Sequence, residues 1–223
     1  MDIKSLHKLF LSCKGVSTDT RKIEPGVMFF ALKGENFDGN DFAEQAVASG
    51  AEYAVVSRLP ENADGRFILV DDTLNTLREL AKYHREQFDI PVLGITGTNG
   101  KTTTKELVNA VLSAKFNTLC TEGNLNNHIG VPLTLLRMNA SHQIAVVEMG
   151  ASHPGEINDS VKLAQPGFGL VTNVGAAHLE GFGSLEGVKK TKGELYDWVS
   201  AHGGVVFYNA DNPLLEEMVS SRK

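Results

Sequence analysis

The stretch GITGTNGKTTT, residues 94–104, constrains the fold of this chain more than any other feature. It follows the apolar run PVLGIT and opens KTTTKELVNAVLSAK, which is rich in helix formers, so a strand, a glycine-rich turn and a helix are predicted in succession. Glycines at 97 and 100 let the backbone turn tightly and aim N–H groups at phosphate oxygens, beside the positive end of the helix dipole. The sequence therefore predicts a phosphate-binding loop.

Two side chains of this loop have predicted roles. Lys101 is expected to reach the β- and γ-phosphates of a nucleotide, and Thr102 to offer its hydroxyl to Mg²⁺. The usual GxxxxGK[ST] spacing requires glycine at 95, where this chain has Ile95, so the loop alone leaves its subclass open. The alternative is a glycine-rich turn that binds nothing, but strand, loop, Lys-Thr pair and helix all agree. The predicted nucleotide-binding residues are Gly97, Thr98, Asn99, Gly100, Lys101, Thr102 and Thr103.

The regular alternation of strands and helices begins near the turn Asp89-Ile90-Pro91, which we take as a domain boundary. Beyond it the strands are continuous apolar runs, as expected when helices cover both faces of a parallel sheet. Residues 1–88 hold shorter β-rich runs, such as VMFFAL and AEYAVV, between helical segments. The predicted class is α/β: a small mixed domain over 1–88, followed by a P-loop-type, mostly parallel sheet with flanking helices over 89–223.

Polar side chains mark the ends of two further predicted strands. The apolar run of QIAVVEM stops at Glu148, and FGLVTNVGAAHLEG places His178 shortly after a strand. Because ligands of open α/β sheets bind beyond the carboxyl ends of the strands, Glu148 is a candidate metal ligand, and Asn173 with His178 offers further polar groups at the same edge. The alternatives are an ordinary salt bridge for the glutamate and a loop position without function for the histidine.

The helix predicted over residues 184–199 carries a lysine on its apolar side. Leu185, Val188, Leu195 and Tyr196 form one stripe at spacings of three and four, and Lys192 falls on it. A lone buried ammonium costs several kcal/mol unless it is paired, neutralised or chemically changed. The alternative is a lysine that buries its stem and extends its ammonium to the surface.

Composition excludes several classes of protein. A formal net charge of −6 disfavours broad nucleic-acid binding, so any anionic ligand needs a local site. No run approaches the roughly 20 apolar residues of a membrane span, and the first residues lack the pattern of a cleaved signal peptide. Cys13 and Cys120 lie far apart without a CxxC partner, which is typical of free thiols. We expect a cytoplasmic location and no nucleic-acid partner.

GTNGKT, Glu148 and the segment from His178 to the Lys192 helix together resemble the Mur ligase family, whose members are ATP-dependent amino-acid ligases of cell-wall precursor synthesis. The resemblance implies ATP and two Mg²⁺ ions as cofactors. Thr102 and Glu148 would hold one ion, and Glu148, His178 and Lys192 the other. The family carries a carbamylated lysine fourteen residues after this histidine, and that position is Lys192. A carbamate forms from a neutral amine, and its oxygens suit Mg²⁺.

Two further segments indicate the substrates that the resemblance implies. EGNLNNHIGVPLTLL (122–136) and HLEGFGS are similar to the family members that add D-alanyl-D-alanine to a UDP-N-acetylmuramoyl-tripeptide. Asn124 and Asn127 would lie near the γ-phosphate and the substrate carboxylate, or form a turn that caps a helix from Val131, or both. The segment 17–42 resembles the part that holds the UDP end, and its candidate contacts are Ser17, Thr18, Arg21, Lys33 and Asn40, the last standing where relatives often have histidine.

The implied reaction activates the tripeptide carboxylate as an acyl phosphate, which the amine of D-alanyl-D-alanine then attacks. For this reaction the catalytic candidates are Lys101, Glu148, His178 and Lys192. Family members have a longer central domain and a third domain, so we expect this chain to be an inactive N-terminal fragment, and a monomer. The alternatives are a folylpolyglutamate-type ligase, against which the UDP-binding-like first domain argues, and a nucleotide-binding module without ligase activity.

Overall fold

The structure is a computed structural model, which describes residues 1–175 and 179–222. The chain divides into two compact units, Met1–Gln87 and Phe88–Lys223. This division falls one residue before the boundary expected from the sequence.

The first unit is a parallel sheet with helices. Its strands lie in the order β1-β2-β3-β4, and every neighbouring pair is parallel. The elements are α1 (Ile3–Ser12), β1 (Val16–Ser17), a 3-10 turn (Thr20–Lys22), β2 (Met28–Phe30), a second 3-10 turn (Gly39–Phe42), α2 (Ala43–Ala48), β3 (Tyr53–Val56), β4 (Phe67–Leu69) and α3 (Thr73–Arg85).

The core of the first unit is built on β2 and β3. Phe29 and Phe30 of β2 are both buried, because layers of side chains cover both faces of this central strand. Helices α1 and α3 pack together through a buried pair of imidazoles, with Nε2 of His7 lying 2.9 Å from Nδ1 of His84. Burial lowers the pKa of His7, which favours its neutral form in this core.

The second unit is also a parallel α/β structure, in agreement with the predicted fold class. Its elements are β5 (Val92–Thr96), α4 (Lys101–Ser113), β6 (Thr118–Cys120), α5 (Gly130–Leu136), β7 (Ile144–Glu148), α6 (Glu156–Ala164), β8 (Phe168–Val171), α7 (Leu179–Phe182), α8 (Leu185–Ala201), β9 (Val205–Phe207) and α9 (Pro213–Ser220).

The order of the strands brings the predicted site residues to one edge of this sheet. The order is β6-β7-β5-β8-β9, and all neighbouring strands are parallel. Ile95 of β5 pairs with Glu148 of β7, and Thr96 pairs with Val171 of β8. After the central strand β5, the chain continues to β6 and β7, which lie on one side of β5 in the sheet, and then crosses to β8 on its other side. Ligands of open α/β sheets bind at such a switch point, beyond the carboxyl ends of the strands.

Helix α8 begins after Ser184, whose side chain accepts a hydrogen bond from the N–H of Gly187 as an N-cap. Val188, Lys192 and other predicted members of the apolar stripe are buried. Leu185 differs from the prediction, since it is 43% exposed at the first position of the helix, where the stripe begins. Among the described residues, no helix combines the length and the apolar character that crossing a membrane requires.

Candidate nucleotide and metal site

The loop between β5 and α4 depends on two glycines with positive φ. Gly97 has φ 144° and Gly100 has φ 76°, values that side-chain-bearing residues rarely adopt. A Cβ placed on Gly97 would lie 2.0 Å from Oγ1 of Thr172, at the end of β8. The loop therefore passes so close to the neighbouring strand end that glycine is required at this position.

Asn173 anchors the loop to the end of β8. Its Oδ1 accepts from the N–H of Asn99 at 3.0 Å, its Nδ2 donates to the carbonyl of Asn99 at 3.1 Å, and its own carbonyl accepts from the N–H of Thr98 at 3.0 Å. The hydroxyl of Thr172 also donates to the carbonyl of Asn99 at 2.7 Å. The sequence predicted Asn173 only as a polar group at a strand end; these bonds show that it also holds the shape of the loop.

Lys101 lies at the start of α4, with its ammonium folded back on the loop. Its Nζ donates to the carbonyls of Gly97 and Thr98, each at 2.9 Å. Burial lowers the pKa of Lys101, and the nearby charge of Glu148 opposes that shift. Thr103, also in the first turn of α4, is exposed. The ammonium is thus held at the glycine-rich loop, where the sequence predicted a phosphate.

Glu148 is a fully buried carboxylate at the end of β7. Its Oε1 accepts hydrogen bonds from Oγ1 of Thr102 at 3.2 Å and from Nδ2 of Asn126 at 2.7 Å. Its Oε2 is buried and has no hydrogen-bond partner among the described residues. An unpaired carboxylate oxygen in the interior is costly. Together with the adjacent Thr102 hydroxyl, it forms a set of hard oxygen donors that fits Mg²⁺.

Lys192 is buried to 3% exposure on α8. Its Nζ lies 3.4 Å from the carbonyl of Ala151 and 5.5 Å from the ring centroid of Phe182. Burial and, next, the charge of Lys101 lower the pKa of Lys192 to about 8. Both ammonium groups border one small cavity of about 20 Å³, room for about one water molecule, lined by Gly97, Thr98, Lys101, Ala151, Phe182, Val188 and Lys192.

The structure describes only some of the residues predicted for the second metal site. His178 lies outside the described residues. Across 1–175 and 179–222, no three His, Cys, Asp or Glu side chains gather closely enough to hold a metal ion. As an ammonium, Lys192 is not a ligand, so its place in a metal site depends on chemical modification.

Three asparagines follow β6, and the one that hydrogen-bonds to the carboxylate of Glu148 is Asn126. The sequence did not predict a role for Asn126. Asn127 instead accepts from the N–H groups of Ile129 and Gly130, at 3.1 and 2.8 Å, in a turn just before α5. Asn124 is exposed. A Cβ on Gly150 would lie 2.8 Å from Oδ1 of Asn126, so a glycine here leaves room for the amide. The three asparagines are too close in sequence for spacing to distinguish them.

The first unit has a pocket of its own, with a volume of about 470 Å³. Arg21 lines it and forms a bidentate pair with Asp19, with both N–O distances at 2.8 Å. Ser17 borders this region through a hydrogen bond from its hydroxyl to the carbonyl of Asp19. The sequence predicted Thr18 and Arg21 but missed the aromatic side of the pocket. The lining residues are Thr18, Asp19, Thr20, Arg21, Phe29, Phe37, Gly39 and Phe42.

Lys33 and Asn40 are not among the residues that line this pocket. Lys33 is exposed, and its backbone forms an isolated bridge with Asp38. Asn40 is buried; its Nδ2 donates to Asp38 at 2.6 Å and to the hydroxyl of Ser57 at 3.0 Å. Its Oδ1 accepts from the N–H of Ser57 at 2.9 Å. The amide therefore stabilises the local fold and borders a different, polar pocket of about 230 Å³ beside Arg58.

The fold and the loop place the second unit in the class of P-loop nucleotide-binding proteins, because a glycine-rich loop links the central parallel strand to a helix that opens with Lys-Thr. Residues 12–85 match the profile described as "Mur ligase family, catalytic domain", and residues 95–223 match "Mur ligase middle domain". The chain belongs to the Mur ligase family, which confirms the resemblance found in the sequence.

Individual relatives are similar over most of this chain. It is 50% identical over 202 residues to the UDP-N-acetylmuramoyl-tripeptide–D-alanyl-D-alanine ligase of Escherichia coli (strain K12), covering 91% of this chain and 44% of that ligase. The ligase of the same name from Bacillus subtilis (strain 168) is 45% identical over 210 residues, covering 92% and 45%. A crystal structure of MurF ligase from Thermotoga maritima in complex with ADP has a TM-score of 0.85 and 35% identity, covering 96% of this chain and 49% of that one. The chain spans about half the length of these relatives.

Proposed function

We propose that this chain is the precursor- and nucleotide-binding part of an ATP-dependent ligase that joins D-alanyl-D-alanine to a UDP-N-acetylmuramoyl-tripeptide. The observation that carries the proposal is the buried carboxylate of Glu148, whose Oε2 has no partner among the described residues and whose Oε1 accepts from Thr102 in the first turn of α4. The names of its relatives support the same substrates, and the ADP complex of one relative supports the nucleotide.

The phosphate loop would hold ATP through its backbone and one lysine. The loop amides and the start of α4 favour negative charge, as helix N-termini do in general. Lys101 would exchange its two loop carbonyls for phosphate oxygens, so that the positive charge lies against the transferred group. Asn173 keeps the loop in shape while this exchange takes place.

The proposed reaction has two steps, because a carboxylate is a poor electrophile at neutral pH. An oxygen of the tripeptide carboxylate attacks the γ-phosphorus of ATP, the bond to the bridging oxygen breaks, and ADP leaves. The amine of D-alanyl-D-alanine then attacks the acyl phosphate carbon, and inorganic phosphate leaves with the electron pair of the broken C–O bond. The nitrogen loses a proton, which the departing phosphate takes up, and an amide forms. The residues of this chain contribute position and charge, which is the main source of catalysis in phosphoryl transfer.

The residues at the strand ends fit a divalent cation. Thr102 and Glu148 would hold one Mg²⁺, and Glu148, His178 and a modified Lys192 would hold a second. When bound, Mg²⁺ neutralises charge on the phosphate oxygens of the nucleotide. The fit rests on the free Oε2 of Glu148 for the first ion.

The pocket of the first unit would take the UDP end of the precursor. Arg21 offers a charge-assisted donor to phosphate, and Thr18 a hydroxyl. Phe37 and Phe42 are 58% and 42% exposed and border the same space, so they provide aromatic surface for a base. ATP and the soluble precursor are cytoplasmic compounds, so the proposal includes a cytoplasmic location.

A coupled assay tests this function in a protein that contains this chain at the full length of its relatives. Steady-state ADP release should require both the UDP-precursor and D-alanyl-D-alanine, and the peptide product should appear in equal amount. A nucleotide-binding switch would instead hydrolyse ATP at the same rate without either substrate, and that result would rule out the ligase.

We further propose that Lys192 is carbamylated. Its pKa of about 8 leaves a substantial neutral fraction near that pH. The neutral amine adds to the carbon of CO₂, a C–N bond forms, one C=O π pair moves to oxygen, and a proton is released. The product carries a negative charge beside Lys101, in place of the like charges that now share a cavity.

This modification is expected to give a ¹³C NMR signal with ¹³C-labelled bicarbonate and to be absent in Lys192→Met. Labelling should increase as pH rises through about 8, because deprotonation of Lys192 supplies the reactive amine. Lys190→Met, on the exposed side of the same helix, is the matched control and should keep the signal. A wild-type spectrum without a carbamate signal at pH 9, in the presence of Mg²⁺ and ADP, would contradict the proposal.

A further inference from the structure

Lys105, which the proposed function does not use, is a fully buried lysine on the helix that follows the phosphate loop. It lies on α4, three residues after Thr102, and its side chain is 0% exposed. Lys105 is the buried residue of α4, whereas the apolar Leu107 and Val111 of the same helix are exposed. An ammonium in this position is costly unless acceptors surround it. Its partners therefore show what the residue does.

The ammonium of Lys105 binds the loop that follows β6. Its Nζ donates to the carbonyl of Thr121 at 2.7 Å and to the carbonyl of Gly123 at 3.2 Å. The third neighbour is Oε1 of Glu106 at 2.7 Å, on a side chain that is 59% exposed. A lysine has three N–H donors, so these contacts use all of them. Lys105 thus ties α4 to the loop at two points, on either side of Glu122.

This loop reaches Glu148 in two ways. Oγ1 of Thr121 accepts from the backbone N–H of Glu148 at 3.0 Å, and Nδ2 of Asn126 donates to Oε1 of Glu148 at 2.7 Å. The carbonyl of Asn126 also accepts from the N–H of Gly150 at 2.7 Å, just after β7. The position of the Asn126 amide therefore depends on the path of the backbone between 121 and 126, which Lys105 holds.

We propose that Lys105 is a positioning residue that fixes the 121–126 loop, so that Asn126 orients the carboxylate of Glu148 for a divalent cation. The proposal rests on the proposed function, since it assigns Glu148 to Mg²⁺. Lys105 acts through Asn126, and none of its contacts involves Glu148 itself. Partners of this kind, which orient a ligand without touching the metal, typically change metal affinity by 10–100-fold when they are lost.

The test measures how ADP binding to the 223-residue chain depends on Mg²⁺. Lys105→Met keeps the length and apolar stem of the side chain and removes its donors. We expect the Mg²⁺ concentration for half-maximal stimulation of ADP binding to rise about tenfold, with ADP affinity in the absence of Mg²⁺ unchanged. Lys115→Met, an exposed lysine just beyond α4, is the control and should match wild type. An unchanged Mg²⁺ dependence in Lys105→Met would overturn the proposal.

A double-mutant cycle separates positioning from general stabilisation. In an Asn126→Ala background, Lys105→Met should change the Mg²⁺ dependence less than twofold further, because the route to Glu148 is already lost. Full additivity would overturn the proposal. If Lys105→Met does not fold, Lys105→Gln replaces it in the same cycle, and its shorter amide should give a smaller effect in the same direction.

A nucleotide-free readout keeps this inference distinct from the proposed function. The side-chain amide resonance of Asn126 in the ¹⁵N spectrum should shift in Lys105→Met and stay in place in Lys115→Met. A resonance that does not shift in Lys105→Met would overturn the positioning role. If the wild-type chain shows no Mg²⁺-dependent ADP binding, the nucleotide part of the proposed function fails, while this resonance still decides the link between Lys105 and Asn126.

Discussion

Lys101→Ala is expected to lower kcat/KM for ligation at least about a thousandfold in a protein that contains this chain at the full length of its relatives. The ammonium of Lys101 lies at the loop, 2.9 Å from the carbonyls of Gly97 and Thr98, and alanine leaves no positive charge there. Negative charge that develops on the transferred phosphoryl group would then no longer be stabilised by the ammonium of Lys101. ADP release in the presence of both substrates measures the effect.

Lys115→Ala provides the matched control, since this exposed lysine lies just past the other end of α4. It should keep wild-type turnover. Lys101 is only partly buried, so the midpoint of thermal unfolding of Lys101→Ala should stay near that of wild type. An unchanged midpoint shows that the loss of turnover does not come from unfolding. Turnover of Lys101→Ala within tenfold of wild type would contradict the assigned role.

The phosphate loop could be predicted from sequence because its determinants are local. The apolar strand, two glycines, the Lys-Thr pair and the helix formers follow one another in about twenty-five residues, and the structure places β5 and α4 on either side of Gly97 and Gly100. Positive φ at both glycines is the reason that these positions are glycine. The parallel order of the strands then places Glu148 near this loop, as the strand-end argument predicted.

Tertiary contacts that depend on a loop's path could not be predicted in this way. Asn124, Asn126 and Asn127 lie within four residues, and which of them faces Glu148 is decided by the backbone after β6. That path is irregular, with Gly123 at φ 51°, so no periodicity assigns a face to each side chain. Asn124 and Asn127 were the predicted site residues, but Asn126 forms the hydrogen bond to the carboxylate.

Lys105 shows the same limit for a charged residue. A lysine on a helix with exposed neighbours is ordinarily solvated, and nothing in its spacing indicates burial. Its burial follows from the carbonyls of Thr121 and Gly123, which belong to a different segment of the chain. By contrast, burial of Lys192 was predictable, because its helix has a clear apolar stripe with the lysine on it.

Glu148→Gln is expected to abolish the stabilisation that Mg²⁺ adds to that of ADP alone, while leaving the folding of this chain intact. Glutamine keeps an Oε1 acceptor for Thr102 and Asn126 and replaces the unpartnered Oε2 with an uncharged amide. Wild type should gain about 2.7 kcal/mol of unfolding free energy when the ligand concentration is one hundred times its Kd. Thermal unfolding with ADP alone and with MgADP measures the part that Mg²⁺ adds.

The same substitution should leave the ligand-free protein as stable as wild type, or more stable. A buried carboxylate whose second oxygen has no partner within the described part of the chain opposes folding, and its replacement by a neutral group lowers that cost. Glu148→Ala is the informative comparison, because it leaves Thr102 and Asn126 without their acceptor and opens a cavity, so it should destabilise the ligand-free protein.

These two variants distinguish a metal-binding carboxylate from a structural one. If Glu148 is present for the fold, Gln should destabilise the ligand-free chain and MgADP should still stabilise the variant. If Glu148 binds a cation, the ligand-free stability is kept or raised, and MgADP stabilises the variant no more than ADP alone does. A protein keeps a costly buried charge when function requires it, so a Glu148→Gln variant that still responds fully to MgADP would remove the central residue of the proposed site.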